Sequence, residues 1–281
     1  MRPEPPDLRL DARGLTFDVY AGGPAGGEPV LLLHGFPQHS AEWSGVAPRL
    51  HAAGLRTYAL DQRGYSPGAR PEAVEAYASV ELVADIVAVL DGLDLPTAHL
   101  VGHDWGALVA WQVAARHPDR VRTLTAVSVP HPGAMVRALS TDPGQKVRSS
   151  YISLFRRPGK AESVLLALDA AALRRMLAGV GRDRVETYAR PMRDRAALTA
   201  ALNWYRAMST RDFAGTGPVP VPSTYVWSDG DVAIGRTAAM ACAGYVTGDY
   251  RLVELPGVSH WIPDEAPEPL AAAILARVGA A

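Results

Sequence analysis

One turn in this 281-residue chain sets an acid where it could act as a nucleophile. The run Ala98-His99-Leu100-Val101 reads as a strand, and a helical stretch covers Ala107 to Arg116. Between them stands Gly102-His103-Asp104-Trp105-Gly106, a turn of the form Gly-x-Asp-x-Gly. This is the pattern of a nucleophile elbow, with aspartate in the position serine usually takes. Side chains at Gly102 and Gly106 would collide with neighbouring backbone in so sharp a turn. Trp105 would open the helix, where a backbone N–H lacks an intrahelical acceptor and the dipole favours an anion.

Three further pieces fall after other apolar runs. His34-Gly35-Phe36-Pro37 follows Val30-Leu31-Leu32-Leu33 and offers the Phe36 N–H as an oxyanion donor beside that of Trp105. Trp227-Ser228-Asp229-Gly230-Asp231 offers two acids, and Gly257-Val258-Ser259-His260-Trp261 presents one histidine on a loop. Nucleophile, acid, histidine is a known chain order for a catalytic triad. Of the eight histidines, His260 is the expected base. His103 adjoins Asp104 but should point away in the sharp turn. His51, His99 and His117 lie in helical or strand contexts, and His39 and His131 read as structural. Residues 128–133 hold no carboxylate, which excludes an acid after the Thr123-to-Val127 run.

These pieces need a scaffold that gathers strand ends. Short apolar runs recur at Val30–Leu33, Leu55–Leu60, Ala98–Val101, Thr123–Val127, Ser223–Trp227 and Tyr250–Leu255. Continuous apolar strands imply a sheet covered on both faces. Helical stretches at Val80–Leu93, Ala107–Arg116 and Pro267–Val278 alternate with them. The alternation predicts an α/β fold with a mostly parallel sheet and right-handed crossovers. Leu8–Tyr20 alternates loosely and predicts an antiparallel hairpin at the sheet edge. From Gly133 to Phe213 the pattern is helical only. Val164, Leu165, Leu168, Leu173, Met176 and Leu177 keep helical spacing, as do Leu198, Ala201, Leu202 and Tyr205. A proline-rich stretch, 215–222, then leads back as a stiff linker. The expectation is a helical cap over 133–215, inserted between core segments 1–132 and 216–281.

Composition bounds the possible functions. With 28 Lys+Arg against 29 Asp+Glu the net charge is −1, which argues against a nucleic-acid binder held by a basic field. The apolar content of 48% argues against disorder. No stretch approaches ~18 consecutive apolar residues, so no membrane span is expected. The acidic, proline-rich start, residues 1–7, lacks the apolar core of a secretory signal. A single cysteine, Cys242, permits no internal disulfide or cysteine metal cluster and fits the cytoplasm. Abundant alanine and arginine fit a GC-rich bacterial source. The near-neutral total conceals an asymmetry. Residues 133–215 hold 15 basic and 7 acidic residues, a net of +8, leaving −9 for the remainder.

Taken together, the chain resembles the soluble epoxide hydrolases of the α/β-hydrolase fold, in the branch with an aspartate nucleophile. The resemblance spans nearly the whole chain. Within the cap, the segment from Tyr151 through Phe155, Pro158, Gly159 and Glu162 is similar to the family's first tyrosine segment. Asn203-Trp204-Tyr205-Arg206 is similar to its second. One departure is Arg156, where relatives often carry glutamine. The resemblance implies that Tyr151 and Tyr205 hold the epoxide oxygen, and that Asp231 rather than Asp229 orients His260. It implies a small-molecule epoxide and water as reactants; with no ligand cluster or phosphate-binding glycine loop in the sequence, no metal or organic cofactor is expected.

The chemistry explains why these residue types belong together. Serine attacking an epoxide would leave an ether that water cannot readily cleave, whereas Asp104 would leave an alkyl ester. Aspartate, with an ordinary pKa of ~3.9, is ionised at neutral pH and attacks without a base. Two phenols are neutral donors for the leaving alkoxide. His260, oriented by Asp231, would then draw a proton from the water that attacks the ester. The nearest alternative is a haloalkane or haloacid dehalogenase with the same Asp–His–Asp set. Trp105, where the haloacid type has arginine, and Phe36, where the haloalkane type often has asparagine, weigh against it. A conventional esterase would form an anhydride on Asp104, and a complete site weighs against a non-enzymatic relative. Trp43, Met135, Trp204 and Trp261 are the expected cavity walls. The basic segment reads first as a lid docked on an acidic core, and second as a selector for acidic epoxides.

Overall fold

A computed structural model describes residues 5–279. Residues 1–4 of the start read above lie outside that range. Eight strands form one sheet: β1 Leu8–Ala12, β2 Leu15–Gly22, β3 Pro29–Leu33, β4 Arg56–Leu60, β5 Ala98–His103, β6 Val121–Val127, β7 Ser223–Trp227 and β8 Tyr250–Glu254. Their order across the sheet is β1-β2-β4-β3-β5-β6-β7-β8. The β1–β2 hairpin is antiparallel and pairs antiparallel to β4, while β4 through β8 run parallel. The edge hairpin and the parallel sheet are therefore both as the alternation predicts.

Strand β3 shows why its sequence is apolar throughout. Val30 and Leu32 face one core with Leu50, Val101, Leu270 and Ile274. Leu31 and Leu33 face the other with Ile86, Val109 and Trp111. Alternate side chains point to opposite faces, and both faces are covered, so no position tolerates a polar residue. Each such side chain contributes roughly 1.5–3 kcal/mol by leaving water. The covering helices are α1 Ala47–Ala52, α2 Ser79–Gly92, α3 Trp105–Arg116 and, near the C-terminus, one at Pro267–Val278.

Between the parallel neighbours β6 and β7 the chain is helical among its regular elements. It forms α4 Pro132–Thr141, α5 Pro143–Arg148, α6 Ile152–Phe155, α7 Lys160–Met176, α8 Arg182–Met192, α9 Arg195–Ala207 and α10 Thr210–Ala214. After β7 come α11 Arg236–Ala241, α12 Ile262–Glu265 and α13, the Pro267–Val278 helix. One expectation fails inside α7. The backbone leaves helical geometry at Ala167–Ala170, and Leu168 and Asp169 take φ of 50° and 57°. The break rotates Leu168 out of the apolar stripe to 88% exposure, although its spacing matches that of the buried Leu165.

The topology places the ends of β3, β5, β7 and β8 along one rim. That rim is where an open α/β sheet binds its ligand.

Candidate active site

Asp104 joins the buried strand β5 to α3 with φ 53° and ψ −117°. A positive φ is rare for a residue with a Cβ and costs on the order of 1–3 kcal/mol. The flanking glycines make room for it. A Cβ at Gly102 would lie 2.3 Å from the carbonyl oxygen of Gly106, and one at Gly106 would lie 2.0 Å from that of Leu33. A Cβ at Gly35 would lie 2.5 Å from Asp104 Oδ1, so only glycine lets the β3 loop approach the carboxylate.

Each oxygen of Asp104 has its own neighbour. The Phe36 N–H donates to Oδ1 at 2.9 Å. Trp105, the first residue of α3, has an N–H with no carbonyl one turn earlier to bond. Oδ2 lies 3.5 Å from His260 Nε2. On the far side of the ring, His260 Nδ1 lies 2.8 Å from Asp231 Oδ2. Asp231 is itself fixed, because its Oδ1 accepts the N–H groups of Ala233 at 2.7 Å and Ile234 at 3.0 Å. Asp229 instead accepts the Gly257 N–H at 2.7 Å and joins two loops. Of the two acids, Asp231 is the one that reaches His260.

The charges are mutually reinforcing. Burial alone would lower the pKa of His260, but Asp231 and Asp104 outweigh it and push the ring up to about 10. Burial would raise Asp104, but the hydrogen bond and charge of His260 hold it below its ordinary value. The resting site is thus a carboxylate beside an imidazolium.

Tyr151 precedes α6 and Tyr205 lies in the last turn of α9, with ring centroids 6.3 Å apart. Burial raises both phenols above their ordinary pKa, and the negative charge of Asp104 adds to it, so both stay protonated. The Trp105 ring packs edge-on against Tyr205, with centroids 5.1 Å apart. Asp104, Tyr151 and Tyr205 together line two cavities. The larger, about 360 Å³, continues past Phe36, Leu154, Phe155, Met176, His260 and Trp261. The smaller, about 80 Å³, continues past Trp105, Leu108, Val129, Met135, Met208 and Phe213. Met135 and Trp261 are walls as expected, whereas Trp43 and Trp204 are not. Trp204 stands behind Trp105 and donates its indole N–H to Arg63 O at 2.8 Å. Trp43 borders a separate cleft beside Tyr20 and His51.

Among the described residues, no lysine or arginine lines either cavity. Several arginines of 133–215 are bonded elsewhere. Arg184 pairs with Asp264 on α12, and Arg148 donates to the Asp231 carbonyl at 2.7 Å. Arg174 bonds Asp169 and Glu186, both within the same stretch. Among the described residues there is no group of three or more His, Cys, Asp or Glu that could hold a metal ion.

Sequence reasoning passed over two residues that lie against this site. His103 does turn away from the cavities, yet its Nε2 lies 2.9 Å from the carbonyl oxygen of His260. Its Nδ1 lies 3.3 Å from Glu42, a fully buried acid on the Ser40–Gly45 turn. Burial pushes Glu42 up to about 7 although His103 opposes the shift. Glu42 stands among polar neighbours, Gln38-His39-Ser40 and Ser44, so no sequence signal marks it as buried or connects it to His103.

Comparison with known proteins bears on the family. Residues 28–267 match the family described as alpha/beta hydrolase fold. Epoxide hydrolase A of Mycobacterium tuberculosis is 33% identical, over 96% of this chain and 96% of its own. The AB hydrolase superfamily protein YfhM of Bacillus subtilis is 32% identical over 92% of each. The crystal structure of epoxide hydrolase A from Mycobacterium thermoresistibile superimposes with a TM-score of 0.86 at 29% identity, covering 98% of both chains. The chain belongs to the α/β-hydrolase family and, within it, to the epoxide hydrolases.

Proposed function

We propose that this chain hydrolyses an epoxide to a vicinal diol through a covalent ester on Asp104. The observation that carries this reading is the carboxylate of Asp104 set between two phenols and a histidine–aspartate pair. Oδ2 attacks an epoxide carbon and the ring C–O bond breaks, its electrons passing to the oxygen. Tyr151 and Tyr205 protonate that oxygen as it forms. Asp104 is then a neutral ester, and one of the two carboxylates that held His260 protonated has lost its charge. The pKa of His260 falls, and a net loss of its proton balances the one delivered to the alkoxide. Neutral His260, oriented by Asp231, next takes a proton from water, which attacks Cγ. The ester oxygen turns negative between the N–H groups of Phe36 and Trp105, and each such donor contributes about 10²–10³ in rate. Collapse breaks the Cγ–O bond; the departing oxygen takes a proton from His260, which recovers one from the new Asp104 carboxyl, so the diol leaves and the carboxylate–imidazolium pair is restored.

The apolar walls on both sides of Asp104 favour a neutral epoxide with apolar substituents over an acidic one. One buried cysteine without a disulfide partner accords with a cytoplasmic enzyme. No helix among the described residues is long and apolar enough to cross a membrane.

The deciding experiment pairs an epoxide panel with peptide mass analysis of His260→Gln. Diol formation by the parent enzyme and an adduct on the Asp104 peptide of the variant are expected. An adduct elsewhere, or halide release from haloalkanes without diol formation, would overturn the assignment.

A further inference from the structure

A buried ion pair joins the helix that carries Tyr205 to the helix that follows the Tyr151 segment, and the reaction as proposed does not use it. Glu162, in the first turn of α7, and Arg206, in the last turn of α9, are joined at 2.8 Å. Their side chains are 2% and 5% exposed. Glu162 Oε1 also accepts the Thr199 hydroxyl at 2.8 Å, and Arg206 donates to Asn203 Oδ1 at 2.9 Å. Glu162 Oε2 and Arg206 Nε are buried without partners. An incompletely bonded buried pair is a poor source of stability, since desolvation offsets the attraction and apolar residues of similar volume often serve as well. What the pair does supply is direction.

Arg206 is the next residue after Tyr205, and each residue turns a helix by about 100°. Fixing the Arg206 side chain therefore fixes the rotation of the last turn of α9, and with it the aim of the Tyr205 phenol. The other anchor, Glu162, begins the helix that follows Phe155. The Phe155 ring packs 5.0 Å from Tyr205, 5.2 Å from Tyr151 and 5.4 Å from Phe36. The pair thus ties the element bearing Tyr205 to the segment bearing Tyr151 and the wall of the larger cavity.

We infer that Glu162 and Arg206 are positioning residues for ring opening, holding Tyr205 in register with Tyr151 and Asp104. This rests on the proposed two-step cycle, and it makes a step-specific claim. Loss of the pair slows alkylation of Asp104 and leaves hydrolysis of the ester, which depends on His260, unchanged.

The test measures both steps by single-turnover quench and adduct mass in the parent enzyme, Glu162→Gln, and the double variant Glu162→Leu/Arg206→Met. Alkylation is expected to fall about tenfold or more in both, within the range that misalignment of reacting groups produces. Ester hydrolysis should stay within about twofold, and the melting temperature of the apolar double variant should be kept or raised. Adding Glu162→Gln to Tyr205→Phe should slow alkylation no further. Alkylation at the parent rate, equal loss in both steps, or a full additional loss on top of Tyr205→Phe would overturn the inference. A parent enzyme that forms diol with no Asp104 adduct would instead overturn the cycle on which it rests.

Discussion

His103 and His260 stand 157 residues apart, yet the ring of one is hydrogen-bonded to the backbone of the other. Because the partner atom is a carbonyl oxygen, His103 Nε2 must carry the proton and donate. Ser128 Oγ donates to the same oxygen at 2.9 Å. The residue before the nucleophile therefore holds the loop that delivers the base. His103→Gln should slow ester hydrolysis about tenfold by loosening His260, with alkylation affected less. Single-turnover traces of the two steps check this, and equal slowing of both would contradict it.

The raised pKa of His260 sets the direction of the pH response. Below that pKa the ring is protonated and cannot accept a proton from water, so the ester should accumulate at low pH. As pH rises, the adduct fraction should fall while turnover climbs. The midpoint should lie below about 10, because the ester no longer carries the Asp104 charge that contributes to that value in the resting enzyme. Acid-quench mass analysis across pH gives the fraction directly. A fraction that grows with pH would refute the assigned base.

Tyr151 and Tyr205 act on the same oxygen, so removing both should compound the loss. Either Tyr→Phe variant alone keeps one phenol and should lose about 10- to 100-fold in ring opening. The double variant should lose most of the 10²–10⁴-fold that general-acid assistance supplies. Near-parent diol formation in the double variant would reduce both residues to packing.

Glu42 gives a stability prediction with a definite sign. Its folded pKa of about 7 lies above the unfolded value of 4.5, so the folded chain holds its proton more tightly. The associated stability is present below the unfolded value and is lost as pH rises through the folded one, by about 3 kcal/mol in all. Glu42→Gln removes the titration. Its melting temperature should therefore gain on the parent between pH 5 and pH 8. A gap that does not change with pH would exclude Glu42 as the responsible group.

Much of this site is legible in the chain, for reasons that can be named. The elbow at Asp104 can be read because its glycines are dictated by local backbone clearance, which sequence expresses directly. His260 can be read because the other histidines sit in strands, helices or unrelated turns. The choice between Asp229 and Asp231 is a matter of which carboxylate faces across to the β8 loop, and two residues of the same type two positions apart carry no mark of it. Resemblance, not spacing, pointed to Asp231. His103 and Glu42 escaped because their connection runs across the sheet rim between segments distant in the chain. The cavity walls were half right. Trp204 is apolar and in the right helix, but α9 turns it toward Tyr65 and Arg63 while presenting Tyr205 to the site. The asymmetry of +8 against −9 does not extend into the cavities, which no lysine or arginine lines among the described residues.

The unequal bonding of the two Asp104 oxygens has a consequence for the atoms themselves. Oδ1 stays with the Phe36 N–H, while Oδ2, beside His260, becomes the ester oxygen and departs in the diol. Water restores the missing atom from the His260 side. On the proposed cycle the enzyme is thus a consumable renewed at every turnover, surrendering one oxygen and taking one from solvent. Unless the carboxylate flips between turnovers, repeated cycling in ¹⁸O-water should label Asp104 with one heavy oxygen and stop there. The first diol released should carry an oxygen that was built into the protein at synthesis.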